Sequence, residues 1–329
     1  MKDLYKIYPQ MKFYYDSKIS KKRYVPYAML SSPINFSNKC ITTCSRGFRI
    51  SSDGNEKFSV DNLDQYDSIN IIIGGSTVFG VGSSNNLNTM SSLLTLKTKS
   101  IWLNLGIRAG NSFSEYIHLV NLLHRAKKID NIIFLSGIND LYLSFLNIDE
   151  TEFDYGFFPS RIDKENISIL NKINQFFSQK FSNLRSKSDN NEYIIDEIIK
   201  NYQIKYSRNF QLISSLIQVY NCQVKFILQP FAPWTEKPFS ENENKAFNIL
   251  ESIQLNSDWN QIKKLMGDKF IHQSINNLFN SLSIDYNIEF INSNNLFDKT
   301  MEDCFVDSIH LTDNGNKILS QLIYDKTNN

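Results

Sequence analysis

The chain has 329 residues, long enough for one large domain or two modest ones around an apolar core. Hydrophobic residues make up 41% and charged residues 21%, and 35 Lys and Arg against 34 Asp and Glu leave a formal charge of +1. That balance sets up no global field for nucleic acid or anionic membrane, so neither is expected as a partner, although a local basic patch is compatible with it. The segment MKDLYKIYPQMKFYYDSKIS interleaves charges with tyrosines and lacks the unbroken apolar stretch of a signal peptide. No later run approaches the roughly 20 apolar residues of a membrane span, so a soluble, cytoplasmic protein is expected.

Residues 1–67 are polar and aromatic with no clean period, and read as an irregular arm packed on a later core. Within this arm Cys40 and Cys44 are spaced to chelate, but no Cys or His partner lies nearby in sequence. With Cys222 and Cys304 they are expected to be reduced structural thiols, without a metal. At Ser68 the pattern changes. Ser68-Ile69-Asn70-Ile71-Ile72-Ile73 is a β-branched run ending in Gly74-Gly75, the form of a buried parallel strand entering a tight turn. Similar runs follow at Ile101–Asn104, Ile132–Leu135, Val224–Leu228 and Ile288–Ile291.

Between the runs lie segments with helical spacing, Phe113, Tyr116, Ile117, Val120 and Leu123, then Phe210, Ile213, Leu216, Ile217 and Tyr220. Alternating strand and helix predicts an α/β domain over 68–329 whose parallel sheet is covered on both faces. Two insertions interrupt the rhythm. Residues from about 144 to 200 carry Phe153, Tyr155, Phe157 and Phe158, and 230–258 carries Pro230, Pro233, Trp234 and Pro238. Their aromatic content suits an ordered cover over a site, and equally a core or dimer contact. Lys237 with Glu241 or Glu243 reads as a solvated charged loop, or as a polar substrate entrance. The oligomeric state stays open.

In an open parallel sheet, ligands gather outside the carboxyl ends of the strands. After the first run, Gly75-Ser76-Thr77 places a hydroxyl at a glycine-softened turn opening a helix, where developing negative charge is favoured. The same pattern also fits a phosphate-binding turn. After the second run, Arg108-Ala109-Gly110-Asn111-Ser112 offers a backbone N–H to an oxyanion. After the third, Gly137-Ile138-Asn139-Asp140 sets a carboxamide at the strand tip, either as a second donor or as a helix cap. Near the end, Asp307-Ser308-Ile309-His310 spaces a carboxylate three residues before an imidazole. It can hold the Nδ1–H and leave Nε2 free as a base. His118, His124 and His272 read as helix-surface or core-edge residues.

These four blocks, in this order, resemble those of the SGNH or GDSL-type hydrolases, over residues 68–325. The resemblance implies a flavodoxin-like three-layer α/β/α sandwich with a five-stranded parallel sheet. It also implies Ser76 as nucleophile, His310 as general base and Asp307 as its orienting carboxylate. The oxyanion hole would be built from the Ser76 N–H, a glycine N–H and the Asn139 side chain, with Gly75 and Asp140 in support and no cofactor. Two departures stand out. The serine block reads Gly-Gly-Ser rather than Gly-Asp-Ser, and the second block is one residue longer than usual. Gly110 rather than Ala109 is taken as the oxyanion glycine. The arm, with Pro26-Tyr27 and Gly47-Phe48-Arg49, is similar to that of relatives encoded beside bacterial surface-polysaccharide or secondary-metabolite genes. The implied activity is hydrolysis of a small acyl ester, acetyl above all, of a carbohydrate or related metabolite. An O-acyltransferase using the same triad and a non-catalytic carbohydrate-binding or assembly protein are the alternatives.

Overall fold

The computed structural model describes residues 1–20, 23–25, 28–146, 188–253 and 258–327. Pro26-Tyr27 and the aromatic segment from Phe153 to Phe158 lie outside the described residues. Five parallel strands form the central sheet: β1 (Ile69–Gly74), β2 (Trp102–Gly106), β3 (Ile129–Ser136), β4 (Gln223–Leu228) and β5 (Glu289–Asn292). Their spatial order is β2-β1-β3-β4-β5, every neighbouring pair parallel. That is the doubly wound, flavodoxin-like order, and it puts the change of winding direction at the carboxyl ends of β1 and β3.

The alternation within each strand explains the two layers. Ile69, Ile71 and Ile73 face one cluster, which includes α3 (Ser112–Leu123), α5 (Ser188–Tyr220) and α8 (Lys269–Tyr286). Ile72 faces the other, shared with α2 (Met90–Thr98) and α9 (Asp313–Thr327). A strand buried on both faces has no polar side to show, so these runs read as continuous apolar stretches. On α5 the buried apolar side chains are Ile198, Tyr202, Tyr206, Phe210, Ile213 and Leu216; of the predicted stripe, Phe210, Ile213 and Leu216 are buried, while Ile217 and Tyr220 are half-buried. On α3 the predicted stripe is rotated. Its inner face is Glu115, His118, Leu119 and Leu122, whereas Phe113 and Ile117 are only half-buried. The apolar-means-inside rule fails there because a carboxyl and an imidazole have been taken into the interior.

The arm contributes the short helices Lys2–Ile7, Met11–Tyr14 and Ser17–Ser20, and two small antiparallel pairings, 23–25 with 29–31 and 51–52 with 57–58. Leu4, Tyr8, Met11 and Tyr14 form one buried cluster with Phe79, Val81, Val306 and the α6 residues Ala246 and Leu250 (α6, Glu241–Ile253). The arm therefore sits against the carboxyl end of the sheet. No helix among the described residues is long and apolar enough to cross a membrane.

The segment after β4 differs most from expectation. Lys237 and Glu243 are not solvated. Their side chains are fully buried as an ion pair of 2.7 Å. The Glu243 carboxylate also accepts from the N–H groups of Cys304 (2.8 Å), Phe305 (3.0 Å) and Ser240 (2.8 Å). Trp234 is likewise interior, its indole N–H donating to the Met266 carbonyl at 2.7 Å and its ring stacked on His272 at 4.6 Å. All four cysteines are free and buried. Among the described residues no three His, Cys, Asp or Glu side chains converge as a metal site would require.

A buried carboxylate deprived of its cation keeps its desolvation cost and loses the compensating charge. Lys237→Met is therefore expected to lower unfolding free energy by about 3–5 kcal/mol in urea denaturation. A midpoint unchanged from wild type would show that the pair contributes nothing.

Candidate active site

Ser76 opens α1 (Ser76–Phe79), a single turn whose N-cap is Gly75. This helix lies almost on top of β2, since a Cβ at Gly106 would stand 2.0 Å from the Phe79 nitrogen. Only glycine at the β2 tip lets the turn settle there. Ser76 stands at the end of β1, partly exposed.

The four separated blocks converge on that hydroxyl. His310 Nε2 lies 2.7 Å from Ser76 Oγ, and His310 Nδ1 lies 2.6 Å from Asp307 Oδ2. Asp307 Oδ1 accepts the N–H groups of Ile309 (2.9 Å) and His310 (2.8 Å). Burial by itself would raise this carboxyl. The charge His310 can carry, its ring N–H and the two amides outweigh burial and hold Asp307 below the ordinary carboxylate range. An ionised Asp307 fixes the imidazole as the Nδ1–H tautomer, which leaves Nε2 to accept from Ser76. The loop bearing both groups is tied from three sides. Thr77 Oγ1 donates to the Ile309 carbonyl at 2.9 Å, the Ala232 N–H to Ser308 at 2.9 Å, and the Val306 N–H to His310 at 2.9 Å.

Asn139, buried at the tip of β3 on α4 (Ile138–Leu146), donates from Nδ2 to the Gly110 carbonyl at 2.7 Å. That bond sets the amide nitrogen toward the serine turn and leaves its second hydrogen for another acceptor. A Cβ at Gly75 would stand 2.9 Å from this nitrogen, a physical reason for Gly-Gly-Ser in place of a larger middle residue.

Gly110 does not take the place assigned to it. Its N–H closes a turn onto the Ile107 carbonyl at 3.1 Å, while Ala109, at φ 63°, borders the cleft. The extra residue in this loop forms that turn and moves the cleft-facing position back by one. Among the described residues no hydrogen bond occupies the N–H groups of Ser76 or Ala109. Ser76, Ala109 and Asn139 all line the cleft.

Asp140 accepts from Ser112 N (3.0 Å), Ser112 Oγ (2.8 Å) and Tyr206 Oη (3.0 Å), joining the Ala109 loop to α4 and α5. Beside it Glu115 accepts from Ser136 Oγ at 3.0 Å. Burial first, then the Asp140 charge, raise the Glu115 carboxyl well above its usual range.

Ser76, Asp307 and His310 open onto a cleft of about 730 Å³. Tyr142 and Trp259 form one wall, ring centres 4.9 Å apart, with Phe247 and Leu250 beyond them. Tyr14, Tyr15 and Arg108 line the cleft as well, as does Lys263, which pairs with Glu251 at 3.0 Å. Arg108 is held by the Ile19 carbonyl at 2.6 Å. Of these lining residues the sequence reading named only Arg108, while Phe247, Leu250 and Glu251 fall within the 230–258 segment it read as a cover. Trp259 belongs to α7 (Asp258–Met266), just past the segment expected to supply the cover, and Trp234 does not line the cleft. Arg108 stands inside a recognised block, whereas nothing local marks Tyr14.

No family model matches the chain, and no curated protein matches it in sequence. Several solved structures are similar to it. One is an acetyl xylan esterase, AlAXEase, at 16% identity, covering 78% of this chain and 98% of that one, with a TM-score of 0.39. Axe2, an acetylxylan esterase from Geobacillus stearothermophilus, is similar at 12% identity over 80% of this chain and 94% of its own, TM-score 0.40. A member of the lipolytic G-D-S-L family from Veillonella parvula DSM 2008 gives 10% identity, 78% and 97% coverage, and a TM-score of 0.40.

Two outcomes are expected. Gly75→Ala pushes the Asn139 amide aside and lowers turnover while the thermal transition stays near wild type; unchanged turnover would show that the close approach has no consequence. The second concerns pH. A carboxyl raised by folding contributes stability below its unfolded pKa, and that stability is lost as pH rises toward the folded value. Glu115→Gln, which cannot ionise, is therefore expected to raise the melting temperature at pH 8 and leave it nearly unchanged at pH 4. Equal effects at both pH values would mean Glu115 is ionised in the fold.

Proposed function

We propose that the protein is a serine ester hydrolase of the SGNH/GDSL type, working through an acyl-enzyme on Ser76. The observation that carries this reading is the line Ser76 Oγ–His310 Nε2 (2.7 Å) and His310 Nδ1–Asp307 Oδ2 (2.6 Å), open to a cleft. His310 takes the Ser76 proton as Oγ attacks the ester carbonyl. The carbonyl oxygen, now an anion, is met by the N–H groups of Ser76 and Ala109 and the free Nδ2 hydrogen of Asn139. Collapse expels the alkoxide, to which His310 gives the proton, and the acyl group stays on Ser76. Water then enters, gives its proton to His310 and attacks the same carbonyl. Breakdown returns a proton to Ser76 and releases the acid. Asp307 stays ionised throughout and steadies the imidazolium.

The substrate is a small acyl ester, acetyl above all, of a carbohydrate or related metabolite. An acetyl group takes little of a cleft of about 730 Å³, which leaves room for a ring-sized alcohol. The Tyr142 and Trp259 rings offer apolar faces to such a ring, and Lys263, Glu251 and Arg108 offer polar groups around it.

Hydrolysis of p-nitrophenyl acetate tests the reading. Ser76→Ala is expected to reduce turnover by about 10³-fold or more and to abolish the acetyl adduct seen by mass spectrometry on the wild type. Asp307→Asn, which allows the wrong tautomer, should cost on the order of 10⁴ in kcat, and Asn139→Ala on the order of 10²–10³. Undiminished hydrolysis by Ser76→Ala would sink the assignment.

A further inference from the structure

The Gly47-Phe48-Arg49 stretch of the arm plays no part in the acyl transfer described above, yet Arg49 is one of the largest fully buried side chains in the molecule, 2% exposed. A guanidinium is rarely taken out of water without a carboxylate. Among the described residues Arg49 makes no ion pair with one. Its donors go instead to neutral oxygens, and those oxygens surround the serine turn. Nη1 donates to the Phe79 carbonyl at 3.1 Å and the Gly80 carbonyl at 2.8 Å, the last two carbonyls of the turn that Ser76 begins. Nη1 also reaches Tyr14 Oη at 2.9 Å, Nη2 the Cys40 carbonyl at 2.5 Å, and Nε the Asn86 side chain at 2.8 Å. Tyr14 Oη in turn lies 2.7 Å from the Gly80 carbonyl.

A one-turn helix cannot hold itself. It closes only a few backbone bonds, those of the Phe79, Gly80 and Val81 N–H groups to carbonyls of Gly75, Ser76 and Thr77, and such a turn is unstable in isolation. Its amino end is fixed by β1, and its middle by Thr77 on the Ile309 carbonyl. The remaining end is gripped by Arg49. We propose that Arg49 is a positioning residue for the nucleophile. By spanning the arm and the carboxyl end of the serine turn with one rigid fork, it holds Ser76 Oγ in line with His310. The inference rests on the reading of Ser76 as nucleophile. Lysine keeps the charge but is a point donor on a flexible stem, and cannot reach the Cys40, Asn86 and Gly80 oxygens together.

The test is the second-order rate of labelling by an alkyl fluorophosphonate, with the number of labelled sites counted by mass spectrometry, beside kcat and KM for p-nitrophenyl acetate. Arg49→Lys is expected to lower labelling rate and kcat together, by about 10- to 100-fold, with KM within about twofold and close to one site labelled per chain. Loss of folded protein alone would reduce the number of labelled sites and leave the rate at each one unchanged, and that result overturns the proposal. Tyr14→Phe, which removes the hydroxyl that meets Arg49 and the Gly80 and Ser83 carbonyls, is expected to give a smaller fall of about 3- to 10-fold and serves if Arg49→Lys does not fold. A wild-type rate in Tyr14→Phe then overturns the proposal. Failure of the wild type to label at all defeats the nucleophile reading, and the inference with it.

Discussion

The contact between Ser76 Oγ and His310 Nε2 joins residues 234 positions apart, and much of the surrounding structure serves to keep it. A hydrogen bond is worth about 1 kcal/mol net, too little to hold a loop of that span closed. The bond is a consequence of the sheet. Serine leaves it at the tip of β1 and histidine follows its last strand, so the two approach because the parallel strands end on one edge. What remains to be set is the last ångström. That is set by smaller ties, Thr77 to Ile309, Ala232 to Ser308 and the Asp307 carboxylate to the backbone of its own loop.

Those ties are largely polar and largely buried. Lys237 and Glu243 hold the stretch at Cys304 and Phe305 that leads into the histidine loop. Asp140 holds the Ala109 loop, and Arg49 grips the serine turn. Apolar packing would stabilise these places at least as well, since a desolvated charge roughly breaks even against a hydrophobic isostere. Hydrogen bonds add direction. A carboxylate with several fixed donors accepts one arrangement of the backbone around it, and a catalytic triad needs one arrangement. Glu115 sits within this scheme beside Asp140, and burial together with that neighbouring charge raises its carboxyl.

The five strands were legible because a buried parallel strand has to be apolar along its whole length, and no surrounding context changes that. The convergence of Ser76, Asp307 and His310 was legible for a related reason. Ser76, Asp307 and His310 sit where strands end, and strand ends can be counted from sequence. The Gly110 assignment failed on one inserted residue, since a tight turn at Ile107–Gly110 changes which amide faces outward without changing the composition of the block. The face of α3 was misread because Glu115 and His118 are inside for reasons that lie on other elements. The same holds for Lys237 and Glu243, whose burial depends on the amides of residues 304–305, some 60 positions away. Long-range polar pairing leaves no period in a sequence, whereas long-range apolar pairing does.

The cleft shows the same division from the other side. Its chemistry comes from the strand ends, but its walls come from the irregular arm and the segment after β4, through Tyr14, Tyr15, Phe247, Leu250 and Trp259. Walls built on elements outside the sheet can change in shape without disturbing the strand ends, which is how one scaffold comes to accept different esters. In this chain the separation is incomplete. Tyr14 borders the cleft and also meets Arg49 and the Gly80 carbonyl, so the arm that shapes the cleft is bonded to the turn that carries Ser76. Any change that reshapes the cleft through residues near Tyr14 therefore acts on the position of Ser76 as well. Selectivity and turnover are coupled on that side of the site. On the Trp259 side, where the wall hangs from α7 and touches Tyr142, the two can vary apart.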